Sequence, residues 1–136
     1  MRAASPLLAL VCAGMLTGCA SLPTACPAPT KPVQWVQLAF GRNIGDQGLV
    51  SDEDFQRFVD AEVTPRFPDG LTILDARGQW RGGDGKIARE PSKILMLALP
   101  PGSEPLKKVD QVRAAYQRAF HQESVMLLTQ PACVAF

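Results

Sequence analysis

Residues 92–99, SKILMLAL, carry apolar side chains on both faces of a predicted β-strand. Successive side chains of a strand point to opposite faces, so the run divides into two apolar sets. These sets are Ile94, Met96 and Ala98 on one face and Leu95, Leu97 and Leu99 on the other. A sheet that is covered on a single face alternates between apolar and polar residues. The run therefore predicts a strand whose sheet is covered on both faces.

A β-hairpin is predicted immediately before this strand. Residues 71–80 (LTILDARGQW) contain β-formers, residues 82–85 (GGDG) are typical of a hairpin tip, and residues 86–90 (KIARE) form the return arm. Farther out along the chain, residues 35–40 (WVQLAF) and residues 123–129 (ESVMLLT) predict a first and a fourth strand.

Two amphipathic helices are predicted between these strands. The first begins at Ser51, an N-cap residue that is followed by acidic residues, and it ends near Pro65. The second covers residues 105–120. Apolar residues recur at the helical period in both: Phe55, Phe58, Val59 and Val63 in the first, and Val109, Val112, Tyr116 and Phe120 in the second.

The predicted order of elements is β-α-β-β-α-β. This order predicts a ferredoxin-like α+β sandwich, with a four-stranded antiparallel sheet, both helices on one face, and the first and third strands central. The fourth strand is also apolar on both faces, because Val125 and Leu127 oppose Met126 and Leu128. We expect the second face to be covered either by another copy of the chain, giving a homodimer with a pocket between the sheets, or by the tether and C-terminal tail.

Residues 1–18 are predicted to be an export signal. Arg2 supplies a positive start, and an apolar run follows from Leu7 to Leu16. That run is too short to cross a bilayer, which needs about 20 apolar residues. The alternative, a buried helix of the mature domain, fits poorly because Pro6 and two glycines frame the run.

The end of this run, Leu16-Thr17-Gly18-Cys19, resembles the lipobox of bacterial lipoproteins. The resemblance implies cleavage after Gly18 and acylation of Cys19, which would anchor the chain in a membrane. Ala20, rather than Asp, follows the cysteine. In a Gram-negative host this is typical of outer-membrane lipoproteins, so we expect a cell-envelope protein that faces the periplasm.

Residues 19–34 are predicted to be a lipidated, proline-rich tether, and residues 35–136 the folded domain. Because Cys12 would leave with the signal and Cys19 would be acylated, Cys26 and Cys133 remain as a pair in an oxidising compartment. A disulfide between them is the favoured interpretation, and two independent thiols are the alternative.

Charge and motifs exclude several function classes. Without Arg2 the chain has 13 basic residues, from the total of 14, against 13 acidic ones, so it lacks the positive charge that nucleic-acid binding needs. A metal site or a cofactor is not expected, since the sole histidine is His121 and the segment GGDGK (residues 82–86) lacks the spacing of a phosphate-binding loop.

The candidate ligand-binding residues are mostly arginines near the hairpin. Asp75, Arg77 and Gln79 alternate and so share one face of the second strand, Arg89 lies on the return arm, and Arg42 ends the first strand. Guanidinium groups bind carboxylates and phosphates through paired hydrogen bonds, so these residues suggest a pocket for a small anion. The alternative is an exposed ladder of ion pairs, each contributing about 0.2–1 kcal/mol.

The amino-acid sequence of most of the chain after the tether resembles the sequences of one family. The segments are VSDEDFQRFVDAEVTPRFPDGLTILDARGQWRG (50–82), IAREPSKILML (87–97), ESVMLLTQPACVAF (123–136) and the earlier FGR (40–42). They resemble the uncharacterised bacterial lipoproteins grouped as domain of unknown function 3574. The resemblance implies a lipoprotein with a single compact domain, and it implies no activity.

We therefore expect a lipid-anchored envelope protein whose domain binds a small ligand or an envelope protein rather than catalysing a reaction. The alternative is a small enzyme that binds an anionic molecule in a dimer pocket lined by the five candidate residues named above.

Overall fold

The computed structural model describes residues 25–45 and 48–136. The predicted signal peptide, the predicted acylation site at Cys19 and the first part of the tether lie outside these residues.

The described chain forms one four-stranded sheet and two helices. The strands are Lys31–Gly41 (β1), Thr72–Arg81 (β2), Ile87–Leu99 (β3) and Met126–Val134 (β4), and the helices are Asp52–Phe58 (α1) and Ser103–Phe120 (α2). Every strand pair is antiparallel, in the order β2-β3-β1-β4, so β1 and β3 are central. The predicted ferredoxin-like α+β fold is confirmed.

Helix α1 begins where the sequence predicts, because the hydroxyl of Ser51 accepts a hydrogen bond of 2.9 Å from the backbone N–H of Asp54. The helix then widens into one π-helical turn, Val59–Val63, closed by a bond of 2.9 Å from Thr64 N to Val59 O. Both apolar stripes reach the core: Phe55, Phe58, Val59, Val63, Val109, Val112 and Tyr116 are buried.

The helix-covered face of the sheet completes this core. Val36, Leu38 and Phe40 of β1 are fully buried there. Opposite them in the register of β3 are Leu97, Leu95 and Lys93, of which the two leucines are buried core residues. Burying a side chain of this size contributes about 1.5–3 kcal/mol, so the face stabilises the fold chiefly through the hydrophobic effect.

Three strands extend farther than the sequence predicts. β1 begins at Lys31 rather than at residue 35, β4 runs from Met126 to Val134 rather than over residues 123–129, and β3 includes the return arm. Each extension contains a proline, which normally interrupts a strand because it lacks an N–H.

The prolines are tolerated because one side of the strand is unpaired at each of them. Pro131 lies in the edge strand β4. Pro32 pairs with β4, but β1 pairs with β3 only from Gln34 onward. Pro91 lies just beyond Ser92, the last β3 residue that pairs with β1. The sequence cannot show which side of a strand stays unpaired. It therefore predicts the starts of β1 and β3 too late and the end of β4 too early.

On the second face of the sheet, which we call the open face, lies no helix formed by the residues that the structure describes. By register it carries Leu74 on β2 and Met126 and Leu128 on β4. These three side chains are 49%, 56% and 43% exposed, respectively. Neither residues 25–30 nor residues 135–136 cover them, so the described part of the chain does not form the predicted cover of tether and tail.

A disulfide joins Cys26 to Cys133, across 107 residues of sequence. Cys133 pairs with Pro32 and therefore belongs to the register set of Leu127, on the helix side of β4. A turn between Pro27 and Thr30 brings the chain from Cys26 into β1. The described residues before β1, residues 25–30, are thus bonded to the edge strand and leave the open face free. No helix among the described residues is long and apolar enough to cross a membrane.

Candidate functional site

A cavity of about 330 Å³ lies on the open face, where β1 ends at Gly41. Its lining includes Trp80, Glu90, Ser92, Ile94 and Met126, together with the loop of residues 122–124 after α2. The volume falls at the lower end of the range found for small-molecule sites, about 300–1,000 Å³. We call it the open-face cavity.

The carboxylate of Glu90 lies in this cavity and accepts two hydrogen bonds. The indole Nε1–H of Trp80 donates to its Oε1 at 3.1 Å, and the backbone N–H of Asn43 donates to its Oε2 at 3.1 Å. The two hydrogen bonds fix the orientation of the carboxyl group. Within the described residues, no lysine, arginine or histidine forms an ion pair with Glu90.

Two glycines on the neighbouring strands make room for this arrangement. A Cβ atom added to Gly41 would lie 2.6 Å from both carboxylate oxygens of Glu90. A Cβ atom added to Gly78 would lie 2.8 Å from the hydroxyl of Ser92. Any larger residue at either position would therefore displace a polar side chain of the cavity.

Ser92 follows Glu90 by two residues and lies on the same face of β3. It is only 6% exposed. In the described part of the chain its hydroxyl has no hydrogen-bond partner, although the side chain lines the cavity. Glu90 and Ser92 therefore present an oriented carboxylate and a free hydroxyl side by side.

The structure does not bring the five predicted ligand-binding residues into one site. Asp75 belongs to the helix-side set of β2, where it binds the ammonium group of Lys93. Arg42 is 8% exposed, and its guanidinium donates to Val50 O at 2.7 Å and pairs with Asp52 at 3.1 Å. These contacts give Arg42 and Asp75 structural roles.

The other three predicted residues lie near the hairpin and are exposed. By register Arg77 and Gln79 belong to the same helix-side set of the edge strand β2 as Asp75, although both are among the residues that line the open-face cavity at this edge. Arg89 pairs with Gln79 across the hairpin, and its carbonyl accepts a bond of 3.4 Å from Asn43 Nδ2. None of the three side chains has an ion-pair partner among the residues described.

A second charged cluster lies on the helix side of the sheet around Lys93, which is 8% exposed. Its ammonium group contacts Asp52 at 2.6 Å as well as Asp75, and hydrogen bonding to Asp52 is the main reason why the pKa of Lys93 is raised. The hydrogen bond from Lys93 likewise lowers the pKa of Asp52, and Arg42 adds to the effect. The cluster attaches the start of α1 to β2 and β3.

Tyr116 connects the core to the cavity. Its hydroxyl donates to the carbonyl of Gly41 at 2.9 Å. Burial raises its pKa far above the ordinary value of 10.0, and the negative charge of Glu90 raises it further, while Arg42 lowers it. Tyr116 is therefore a neutral donor that positions the end of β1, directly beneath the glycine that faces Glu90.

Apart from Arg77 and Gln79, the residues of the cavity were not predicted as site residues, although parts of the signal are in the sequence. Glu90 and Ser92 flank Pro91 at a spacing of two, which places two polar groups on one face of a strand that is otherwise apolar. Gly78 lies within the second predicted strand, and Gly41 directly follows the first. That these four residues lie together follows only from the register that aligns β1, β3 and β2.

The chain belongs to a family described as "Protein of unknown function (DUF3574)", which matches residues 36–136. No curated protein matches the chain significantly.

Solved structures share the fold. A phage SAM lyase in complex with S-methyl-5'-thioadenosine is similar over 85% of this chain and 97% of its own, with 17% identity and a TM-score of 0.60. CutA from Synechococcus elongatus, in complex with a Bis-Tris molecule, is similar over 78% of this chain and 87% of its own, with 12% identity and a TM-score of 0.50. At these identities the similarity supports the fold alone.

We predict that Gly41→Ala will disturb the cavity. The added methyl group would force the carboxylate of Glu90 away from its two donors, so the free energy of unfolding should fall by about 1–3 kcal/mol. Urea denaturation measures this, and the fluorescence of Trp80 should change. The matched control is Gly83→Ala, because nothing lies within 4 Å of that position. Equal stability of the two variants would contradict the arrangement.

We also predict a pH signature for Asp52. Because its pKa is lowered in the folded state, its contribution is present above the ordinary value of 3.8 and is lost as the pH falls through the folded-state pKa. The difference in unfolding free energy between wild type and Asp52→Asn should therefore be constant near neutral pH and shrink below pH 3.8. Glu53→Gln, in the same turn of α1, is the control. A difference that persists in acid would contradict the ion pairs.

Proposed function

We propose that this protein is a lipid-anchored protein of the bacterial cell envelope whose domain binds a small molecule in the open-face cavity. The observation that carries the binding role is the carboxylate of Glu90, held by two donors and seated between glycines, beside the free hydroxyl of Ser92. Rigid polar groups in a cavity with apolar walls are what a small-molecule site requires.

The location is supported by the N-terminal sequence and by the cysteines. The motif Leu16-Thr17-Gly18-Cys19 supplies the acylation site, and a disulfide such as Cys26–Cys133 persists in oxidising compartments such as the periplasm. Cys26 follows Cys19 by seven residues, which span at most about 25 Å. The domain would therefore lie close to its membrane, which we propose is the outer membrane, on the periplasmic side.

Binding without catalysis is favoured by the groups that line the cavity. The carboxylate of Glu90 already accepts two hydrogen bonds, and the described residues that line the cavity include no histidine or cysteine that could activate the hydroxyl of Ser92 as a nucleophile. An enzyme is the alternative, since the phage SAM lyase has the same fold. Its ligand, S-methyl-5'-thioadenosine, therefore belongs among the compounds to be tested.

Self-association through the open face is a second proposal, supported by a separate observation. Leu74, Met126 and Leu128 are each between 43% and 56% exposed on one flat surface. Contiguous apolar patches of this kind are typical of interaction sites. A second copy placed sheet to sheet would bury this patch and would close the cavity that opens on the same face.

We predict that Cys19→Ser abolishes membrane attachment. In cells fed an alkyne-labelled palmitate, the wild-type chain should carry the label and fractionate with the outer membrane, because two or three acyl chains anchor it firmly. The Cys19→Ser chain should carry none. Cys12→Ser, in the predicted signal peptide, should be labelled like the wild type. Labelling that survives Cys19→Ser would disprove the proposed anchor.

We predict that a thermal-shift screen of small metabolites, including S-methyl-5'-thioadenosine, will find compounds that stabilise the protein. Ala76→Leu fills the cavity from β2 and should abolish the stabilisation. Thr72→Leu lies on the same strand and face but outside the cavity, and it should leave the stabilisation unchanged. A screen without hits, or hits that still bind Ala76→Leu, would refute the cavity as the binding site.

We predict that the lipid-free domain dimerises and that Leu128→Lys prevents this, because two copies would bring the new charges together in an apolar interface. Sedimentation velocity at about 10–100 µM should show a dimer for the wild type and a monomer for the variant. Leu49→Lys is the matched control, since Leu49 is 47% exposed in the loop before α1. A wild type that remains monomeric throughout would rule out the homodimer.

A further inference from the structure

We propose that the open-face cavity selects a small organic cation, a protonated amine joined to an apolar group, and that Glu90 is its counterion. The inference rests on the proposed function, because it names the class of ligand for the same cavity. Four observations support it. No described cation pairs with Glu90, hydrogen-bond acceptor positions remain free on Glu90 and Ser92, part of the cavity wall is apolar, and the charged lining residues are mostly acidic.

Glu90 differs from the other partly buried acidic groups of the described chain. Asp54 pairs with Arg57, and Glu62 pairs with Arg66 at 2.9 Å. Glu90 is likewise withdrawn from full exposure, yet no described cation lies within ion-pair distance of it. A carboxylate that is partly removed from water without a counterion is unfavourable, so a cationic ligand would supply what the chain lacks.

The polar groups of the cavity have unoccupied hydrogen-bond acceptor positions, which an ammonium group needs. A carboxylate accepts about four hydrogen bonds, and Glu90 receives one on each oxygen, from Trp80 and from Asn43. One acceptor position per oxygen therefore remains. The hydroxyl of Ser92 adds a further acceptor on the same face of β3. An ammonium group has three N–H donors, and these acceptors can receive them.

The walls of the cavity suit an apolar group beside that amine. Ile94 and Met126 form part of the lining, and the indole ring of Trp80 is 37% exposed there. A cation close to an indole face gains further attraction, and the methylene or aromatic part of a ligand can pack against the same ring.

The charge balance of the lining excludes the opposite ligand. Glu90 and Glu123 line the cavity against the single cation Arg77. An anion in the cavity would lie next to the oriented carboxylate of Glu90, which is repulsive at short range. The anion site was predicted from the arginines along the strands. In the structure, however, Arg42 binds Val50 O and Asp52 on the other side of the sheet.

Three probes that differ in a single group test the charge preference directly. Phenethylamine, 2-phenylethanol and 3-phenylpropionate share a phenylethyl body that ends in an ammonium, a hydroxyl and a carboxylate, respectively. The full chain in lipid nanodiscs is titrated at pH 7 with each probe up to about 10 mM, because ligands of this size reach millimolar affinity. The fluorescence of Trp35 and Trp80 reports binding.

We expect phenethylamine to bind at least about tenfold more tightly than 2-phenylethanol, as for a charge-assisted hydrogen bond, and 3-phenylpropionate to bind weakest. Glu90→Gln keeps the size of the side chain and should remove the preference for the amine over the alcohol, because the counterion is lost. Glu123→Gln removes one negative charge from the same lining and should keep most of the preference. The ranking on the wild type needs no variant, so it stands even if Glu90→Gln folds poorly.

The outcomes separate this inference from the function on which it rests. Tighter binding of the carboxylate or the alcohol than of the amine overturns the cation proposal but leaves the cavity as a ligand site. A preference for the amine that survives Glu90→Gln also overturns it, since Glu90 is then not the counterion. No binding by any of the three probes contradicts both.

Discussion

The hydrogen bond from Tyr116 to the carbonyl of Gly41 is the contact on which the site depends. Tyr116 has no exposed surface, and its ring packs 4.7 Å from Phe40 and 5.1 Å from Phe58, measured between centroids. A buried phenol requires a partner for its hydroxyl, and the end of β1 provides it. The hydrophobic packing of α2 therefore fixes the position of Gly41, whose other side receives the carboxylate of Glu90.

The two faces of the sheet use charge in different ways within residues 90–93 of β3. Lys93 points toward the helices, where Asp52 and Asp75 neutralise it. Its neighbours Glu90 and Ser92 point to the open face, where the described chain supplies hydrogen-bond donors but no counterion. The first arrangement is complete and holds the fold together. The second remains open to a ligand, and this contrast is the physical basis for placing function on the open face.

Much of the fold could be predicted because its signals are local. The N-cap at Ser51, the apolar stripes of the two helices and the glycine-rich hairpin tip each involve residues close in sequence. The order of the elements then leaves few topologies, and the ferredoxin-like sheet is one of them. The strand ends were misplaced where a proline was compatible with pairing on one side, as at Pro32 and Pro131.

The site was harder to predict, because its residues come from three strands and gain meaning only in register. Arg77 and Asp75 seemed equivalent in sequence, yet Asp75 is held by Lys93 whereas Arg77 has no ion-pair partner among the described residues. Arg42, a candidate for anion binding, is buried against the loop before α1. Glu90 is not among the predicted ligand-binding residues, because a single glutamate beside a proline in a hairpin arm is ordinary until its neighbours across the sheet are known.

The sequence by itself determined the class of fold, the apolar character of both sheet faces and the expectation of an anchored, exported chain, since these depend on periodicity and on short motifs. Only the tertiary structure decided that one apolar face stays open, that Cys26 is bonded to the edge strand rather than crossing that face, and that Gly41 and Gly78 flank Glu90 and Ser92. The reason is physical: periodicity sets which way a side chain points, whereas strand register sets what it meets.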